Sequence, residues 1–121
     1  MKSKKILILD DDDDVLEILA LLLSDAGYET RTSVNGETVF EDITNFQPNL
    51  VLMDIVLGDV DGRAICQHIK QNDTTAHLPV ILISGQHDLV EYMHLPGAPN
   101  DFVAKPFSID HLLAKVAQQV L

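Results

Sequence analysis

The stretch NLVLMD at residues 49–54 leads from an aliphatic segment directly into a carboxylate. Its apolar residues are continuous instead of alternating, which is typical of a strand that is buried on both faces. Residues 6–9 (ILIL) and 80–83 (VILI) share this pattern, and polar side chains follow each of them. The three runs therefore predict buried parallel strands with polar residues at their carboxyl ends.

Weaker strands and helical stripes fill the rest of the chain. Tyr28–Ser33 and Phe102–Ala104 are more polar, as edge strands would be. Apolar residues at helical spacing predict five helices, marked by Val15, Leu19, Leu22 and Ala26; Val39, Phe40 and Ile43; Ile65 and Ile69; Leu89, Val90 and Met93; and Ile109, Leu112, Leu113, Val116, Ala117 and Val120. Gly27 predicts the end of the first helix, and Ser108 predicts the N-cap of the last.

The predicted elements alternate strictly, with a strand followed by a helix five times. Right-handed crossovers then require a parallel sheet with helices on both faces. We therefore predict an α/β fold over residues 1–121, namely a flavodoxin-like (βα)5 doubly wound domain whose five-stranded parallel sheet has the order 2-1-3-4-5. Ligands bind such sheets at the carboxyl edge where the strand order reverses, which here lies between strands 1 and 3.

Polar side chains that follow four of the strands are expected to meet at this edge. Asp10 and Asp11 follow strand 1, and Asp54 follows strand 3. Ser84 follows strand 4, and Lys105 follows strand 5. Three carboxylates, a hydroxyl and an ammonium group together predict a pocket for a divalent cation and a phosphoryl group.

The charge of the chain restricts its partners. Nineteen acidic residues against eight basic ones give a formal net charge of −11. Such a surface repels phosphate backbones, so direct binding to nucleic acid is not expected. Metal ions, or proteins with a basic face, are the expected partners.

The expected compartment is the cytoplasm. Cys66 is the single cysteine, so no internal disulfide can form, and it is expected to pack on a helix. No apolar run is long enough to cross a membrane, and the N-terminal residues lack the cleavage site of a signal peptide. These features predict one cytoplasmic domain that has no membrane segment.

Four blocks of this sequence, ILILDDD, LVLMDIVLGDVDG, PVILISG and DFVAKPF, resemble in order and spacing the signature blocks of response-regulator receiver domains of two-component signalling. The resemblance extends from Lys5 to the last helix. It implies a signalling switch that accepts a phosphoryl group from a sensor histidine kinase or a phosphotransfer protein. The protein would catalyse only its own phosphorylation and dephosphorylation, and would act on an unknown output partner as a monomer or a phosphorylation-dependent dimer.

The resemblance also implies a role for each acidic residue of the pocket. Asp54 would be the phosphoacceptor. Asp11, Asp54 and the backbone carbonyl of Val56 would bind Mg²⁺ (or Mn²⁺) directly, and Asp10 would act through water. Hard oxygen ligands suit Mg²⁺, which keeps several of its waters.

Further residues match the positions that bind phosphate and report it. Lys105 and Ser84 would bind the phosphoryl oxygens, and Ser84 would act with Phe102 as the conformational switch. The peptide bond between Lys105 and Pro106 is expected to be cis. Val56 and Gln86 flank the site at variable positions that are expected to affect the lifetime of the phosphate.

One position departs from the family pattern. Gly58 stands where a proline is common after the phosphoacceptor, so the loop that contains it is expected to be looser.

The residues between Asp10 and the first helix also have structural interpretations. Asp13 and Asp14 are expected to favour a helix N-terminus, and the role of Asp12 is left open. The spacing of Asp10, Asp12 and Asp14 also suits positions 1, 3 and 5 of a calcium loop. In such a loop, however, the positions of Val15 and Leu21 need Gly and Glu.

A different phosphate chemistry is the main alternative. ILILDDDDD also contains the D-x-D pattern of haloacid-dehalogenase-type phosphohydrolases, in which Asp10 would be the nucleophile. Asp14 occupies a place usually taken by Thr or Val, and no acidic pair follows Lys105 on a strand, so the pattern is incomplete. A degenerate receiver is disfavoured because every acidic, hydroxyl and lysine position is filled.

Overall fold

A five-stranded parallel sheet forms the centre of the structure, a computed structural model that describes residues 3–85 and 95–120. The strands in chain order are β1 (Lys5–Leu9), β2 (Glu29–Ser33), β3 (Leu50–Asp54), β4 (Val56–Leu57), β5 (Val60–Asp61), β6 (Val80–Ser84) and β7 (Asp101–Ala104). The main sheet has the order β2-β1-β3-β6-β7, and β4 and β5 form a separate antiparallel hairpin. Numbered within the main sheet alone, this order is 2-1-3-4-5, so the predicted fold is confirmed.

Four α-helices lie within the described residues, namely α1 (Asp13–Asp25), α2 (Val39–Phe46), α3 (Gly62–Gln71) and α4 (Ile109–Gln119), and a short 3-10 helix (Gly36–Thr38) precedes α2. A further predicted helix, around Leu89–Met93, lies outside the described residues. In the part of the chain that the structure describes, every helix is too short or too polar to cross a bilayer.

The core has two layers, one on each face of the sheet. Leu7 and Met53 belong to the layer that includes α2 and α3, whereas Ile8 and Leu52 belong to the layer that includes α1 and α4. Neighbouring residues of a strand point to opposite faces, so continuous aliphatic runs are needed to fill both layers. Cys66 of α3 is buried in the first layer, and burial raises the pKa of its thiol to about 11.

The buried stripe of α1 differs from the predicted one. The buried residues are Leu16, Leu19 and Leu23, where the prediction placed Val15, Leu22 and Ala26 beside Leu19. Ile18 and Leu21 are 55% and 62% exposed. The helix is apolar around most of its circumference, so periodicity alone cannot decide which stripe faces the sheet.

The remaining helix predictions are partly confirmed. In α2, Phe46 is buried whereas Phe40 is about one-third exposed, and in α4 Ile109 is half-exposed. Both predicted helix boundaries are present: Gly27 follows α1 with a φ of +101°, and the Ser108 side chain accepts a hydrogen bond from the backbone N–H of His111.

Candidate functional site

The register of the sheet brings Asp10 and Asp54 to the same level. Leu9 pairs with Met53 across β1 and β3, so the residues that follow them, Asp10 and Asp54, are neighbours at the carboxyl edge. Asp54 in turn pairs with Ile83 of β6, which precedes Ser84. Parallel pairing thus aligns the ends of three consecutive sheet strands, as the sequence predicted.

Asp10, Asp11 and Asp54 form an acidic cluster. Each contributes a carboxylate oxygen, and these oxygens all lie within 4.8 Å of one another. Asp10 and Asp54 are buried, with exposed fractions of 1% and 7%, whereas Asp11 lies at the exposed rim. Carboxylates at this separation repel one another unless a cation lies among them.

Each carboxylate of the acidic cluster accepts a backbone hydrogen bond. The N–H of Asp12 donates to Oδ1 of Asp10 at 3.0 Å, and the N–H of Val56 donates to Oδ1 of Asp54 at 3.1 Å. The N–H of Gly58 donates to Oδ2 of Asp11 at 3.2 Å. These bonds orient the acids, but each leaves further lone pairs that a metal ion could use.

Lys105 supplies a cation at the buried end of the cluster. Its Nζ lies 2.6 Å from Oδ2 of Asp54 and 3.5 Å from Oδ2 of Asp10. Burial by itself lowers the pKa of Lys105, but the hydrogen bond to Asp54 and the charges of both carboxylates outweigh burial and raise it. Its backbone N–H donates to the carbonyl of Ser84 at 2.8 Å, which ties the lysine to the end of β6.

Asp10 is the most deeply buried of the three acids. Burial raises its pKa to about 6; Asp54 adds to this rise, while the N–H of Asp12 and the charge of Lys105 oppose it. Oδ2 of Asp10 is buried and has no hydrogen-bond partner among the described residues, because Lys105 is too distant for a good hydrogen bond. A buried oxygen in this state and two neighbouring carboxylates fit the oxygen ligands that Mg²⁺ requires.

The predicted switch residues lie on the strands beside the cluster. Ser84, at the end of β6, is 3% exposed. Phe102, in β7, is half-buried and packs against the core layer that includes α2 and α3. The peptide bond between Lys105 and Pro106 is cis, as the resemblance implied. Val56 is 54% exposed beside Asp54, and Gln86 lies outside the described residues.

Three structural features of the site were missed by the sequence analysis. Asp12 is the N-cap of α1, since its carboxylate accepts from the N–H groups of Asp14 and Val15. Gly62 packs against the backbone of Asp54 so closely that a Cβ at this position would clash with the carbonyl oxygen. The β4–β5 hairpin was not predicted, although the Gly58-Asp59 pair between its two short strands is a two-residue hairpin signal.

Comparisons with a family model, with curated proteins and with solved structures all lead to response regulators. The family model for the response regulator receiver domain matches residues 6–117. The regulatory protein NisR of Lactococcus lactis is 34% identical over 120 residues, which is 96% of this chain and 50% of NisR. A crystal structure from Chloroflexus aurantiacus, described as a response regulator, has a TM-score of 0.89 and 33% identity, and covers 98% of each chain.

The curated relatives are longer than this chain, which spans about half of their length. RpaA of Synechocystis is 29% identical over 113 residues, which is 93% of this chain and 47% of RpaA. RpaA is described as a DNA-binding transcriptional regulator. The expectation that nucleic acid is not a partner is therefore not borne out for the longer proteins of this group.

Proposed function

We propose that this chain, which belongs to the family of response regulator receiver domains of two-component signalling, accepts a phosphoryl group on Asp54. The donor would be a sensor histidine kinase or a phosphotransfer protein, and Mg²⁺ (or Mn²⁺) would be required. The observation that supports this most directly is the acidic cluster at the end of β1 and β3, with Lys105 2.6 Å from Asp54.

The donor atoms suit one divalent cation. Asp11, Asp54 and the backbone carbonyl of Val56 would hold it directly, and Asp10 would hold it through water. When bound, the ion would neutralise the negative charge of the carboxylates and of the incoming phosphoryl group. The repulsion among the three acids would then be relieved.

Asp54 would act as the nucleophile. One of its carboxylate oxygens forms a bond to phosphorus while the bond from phosphorus to the donor's imidazole nitrogen breaks, and the imidazole leaves with the electron pair. Catalysis of such a transfer depends mainly on in-line positioning and charge neutralisation. The hydrogen bond from Val56 to Oδ1 of Asp54 restrains the carboxylate for this attack.

Lys105 and Ser84 would then bind the new phosphoryl oxygens. Lys105 exchanges its contact with Asp54 for a phosphoryl oxygen, and the hydroxyl of Ser84 donates to another. Two charge-assisted hydrogen bonds contribute roughly 3–6 kcal/mol, and inverting a 1:99 conformational ratio takes about 5.5 kcal/mol. The pair is therefore just sufficient to drive a switch, which the half-buried ring of Phe102 would transmit through packing.

The output of the switch would depend on a partner that the sequence does not identify. A net charge of −11 disfavours DNA contact by these 121 residues. In any longer protein that contains them, DNA binding as in RpaA would thus involve other residues. The domain would act as a monomer or as a phosphorylation-dependent dimer, and light scattering before and after phosphorylation distinguishes the two.

Phosphorylation by acetyl phosphate tests the proposal. With Mg²⁺, intact mass spectrometry should show one phosphoryl group on the wild-type protein and none on Asp54→Asn or in excess EDTA. Label that persists in Asp54→Asn but is lost in Asp10→Asn would instead support the haloacid-dehalogenase-type alternative.

A further inference from the structure

The hairpin that follows Asp54 contacts the acidic cluster at its exposed end. We propose that Gly58, at the turn of this hairpin, is a positioning residue that holds Asp11 ready for Mg²⁺ through its backbone N–H. The inference rests on the proposed function, since it assumes that the acidic cluster binds Mg²⁺. It assigns a purpose to the position at which this chain departs from the common proline.

The contact between Gly58 and Asp11 is the central observation. The Gly58 N–H donates to Oδ2 of Asp11 at 3.2 Å, and Asp11 is exposed. Within the described residues this is the only hydrogen bond that the Asp11 side chain accepts. An exposed carboxylate with no restraint would sample several rotamers, and binding a metal would then require it to be ordered.

The hairpin is built to keep this N–H in place. Leu57 and Val60 pair across it, and Leu57 is only 2% exposed, so the hairpin is anchored in the core. At its base the N–H of Gly62 donates to the carbonyl of Ile55 at 2.6 Å. The turn at Gly58 and Asp59 therefore follows a strand that is anchored in the core, and the base of the hairpin is closed by a hydrogen bond.

The last acid of the hairpin is kept out of the acidic cluster. Asp61 accepts the N–H of Arg63 as the N-cap of α3, and its carboxylate forms a 2.7 Å ion pair with the Arg63 guanidinium. Hydrogen bonding by the Arg63 side chain is the main reason that the pKa of Asp61 is lowered. Within the described residues, the hydrogen bonds from the hairpin to the acidic cluster are donated by the N–H groups of Val56 and Gly58.

The geometry of this turn favours glycine. Gly58 has a φ of +61°, which lies in the left-handed region. A proline there has no N–H to donate and holds φ near −65°, so it would remove the contact with Asp11 and change the turn. Asparagine tolerates the left-handed region and retains the N–H, so it provides a matched control.

The first experiment compares Mg²⁺ affinity in Gly58→Pro and Gly58→Asn by NMR titration of the phosphate-free protein. Loss of one hydrogen bond at an exposed carboxylate, taken at the typical net value for a hydrogen bond, predicts that Gly58→Pro binds Mg²⁺ about three- to tenfold more weakly. Gly58→Asn should bind within about twofold of wild type. Thermal unfolding in EDTA shows whether each variant is folded. Equal affinity in wild type and folded Gly58→Pro would overturn the inference, and so would an equal loss in Gly58→Asn.

A second measurement does not depend on the proline variant. Hydrogen exchange of the Gly58 amide in metal-free protein should be faster in Asp11→Ala than in wild type, because the acceptor is gone. Unchanged exchange of that amide would contradict the proposed contact. The two proposals fail differently: a wild-type protein without saturable Mg²⁺ binding overturns both, whereas wild-type binding that Gly58→Pro leaves intact overturns only this one.

Discussion

The middle and the carboxyl end of the same strands are in opposite energetic situations. In the middle, Ile8 and Leu52 are completely buried among aliphatic neighbours. Two residues further along each strand, Asp10 and Asp54 are almost as buried but carry carboxylates that repel each other. The strands are thus stabilised at their centre and strained electrostatically at their end, where the candidate chemistry lies. Charge crowding of this kind is typical of functional sites.

The largest effect on stability is expected at the centre. Leu52→Ala should lower the free energy of unfolding by about 2–5 kcal/mol, because it leaves a cavity in a layer that is fully buried. Urea denaturation checks this value, and Mg²⁺ affinity of the folded fraction should be unchanged. A loss below about 1 kcal/mol would show that the centre of the sheet is less critical than its packing indicates.

At the carboxyl end of the strands, a substitution is expected to raise the free energy of unfolding instead of lowering it. Without Mg²⁺, Asp10→Asn should raise the free energy of unfolding near neutral pH by about 1–3 kcal/mol, since it removes a buried charge whose pKa is raised to about 6. The same variant should bind Mg²⁺ more weakly, so saturating Mg²⁺ should reduce or reverse its advantage. Destabilisation of the metal-free protein by this change would remove the contrast between the two regions.

The pH dependence of stability sharpens the contrast. The pKa of Asp10 is about 6 in the folded protein and about 3.8 when unfolded, so the folded state binds more protons between these values. Stability of the metal-free protein should therefore fall as the pH rises from about 4 to 6, and Asp10→Asn should lose this fall. Asp61, whose pKa is lowered by Arg63, contributes stability that is lost only below that range. Urea titrations at several pH values measure both effects.

The smallest effect is expected at the surface beside the cluster. Asp12→Ala removes the N-cap of α1 and should lower the free energy of unfolding by about 1 kcal/mol. Its effect on Mg²⁺ affinity should be less than about twofold, because the Asp12 N–H that orients Asp10 belongs to the backbone. A large loss of affinity would mean that the Asp12 carboxylate belongs to the metal site.

The sequence by itself determined the five strands of the main sheet and their order along the chain. Runs such as residues 50–53 and 80–83 are too continuous to suit any surface position, and the structure extends them by only one residue, to Asp54 and Ser84. The residues of the acidic cluster were also predictable, because parallel strands necessarily end at one edge. Resemblance to a known family assigned their roles, and those roles remain proposals for this chain.

Only the tertiary structure decided which of several chemically equivalent residues face inward. Asp10 and Asp11 are identical in chemistry, yet one is buried beside Lys105 and the other lies at the rim beside Gly58. Likewise, Leu16 instead of Leu22 faces the sheet in α1. Identical or similar side chains have the same local preference, so the direction in which each points is set by contacts with distant parts of the chain.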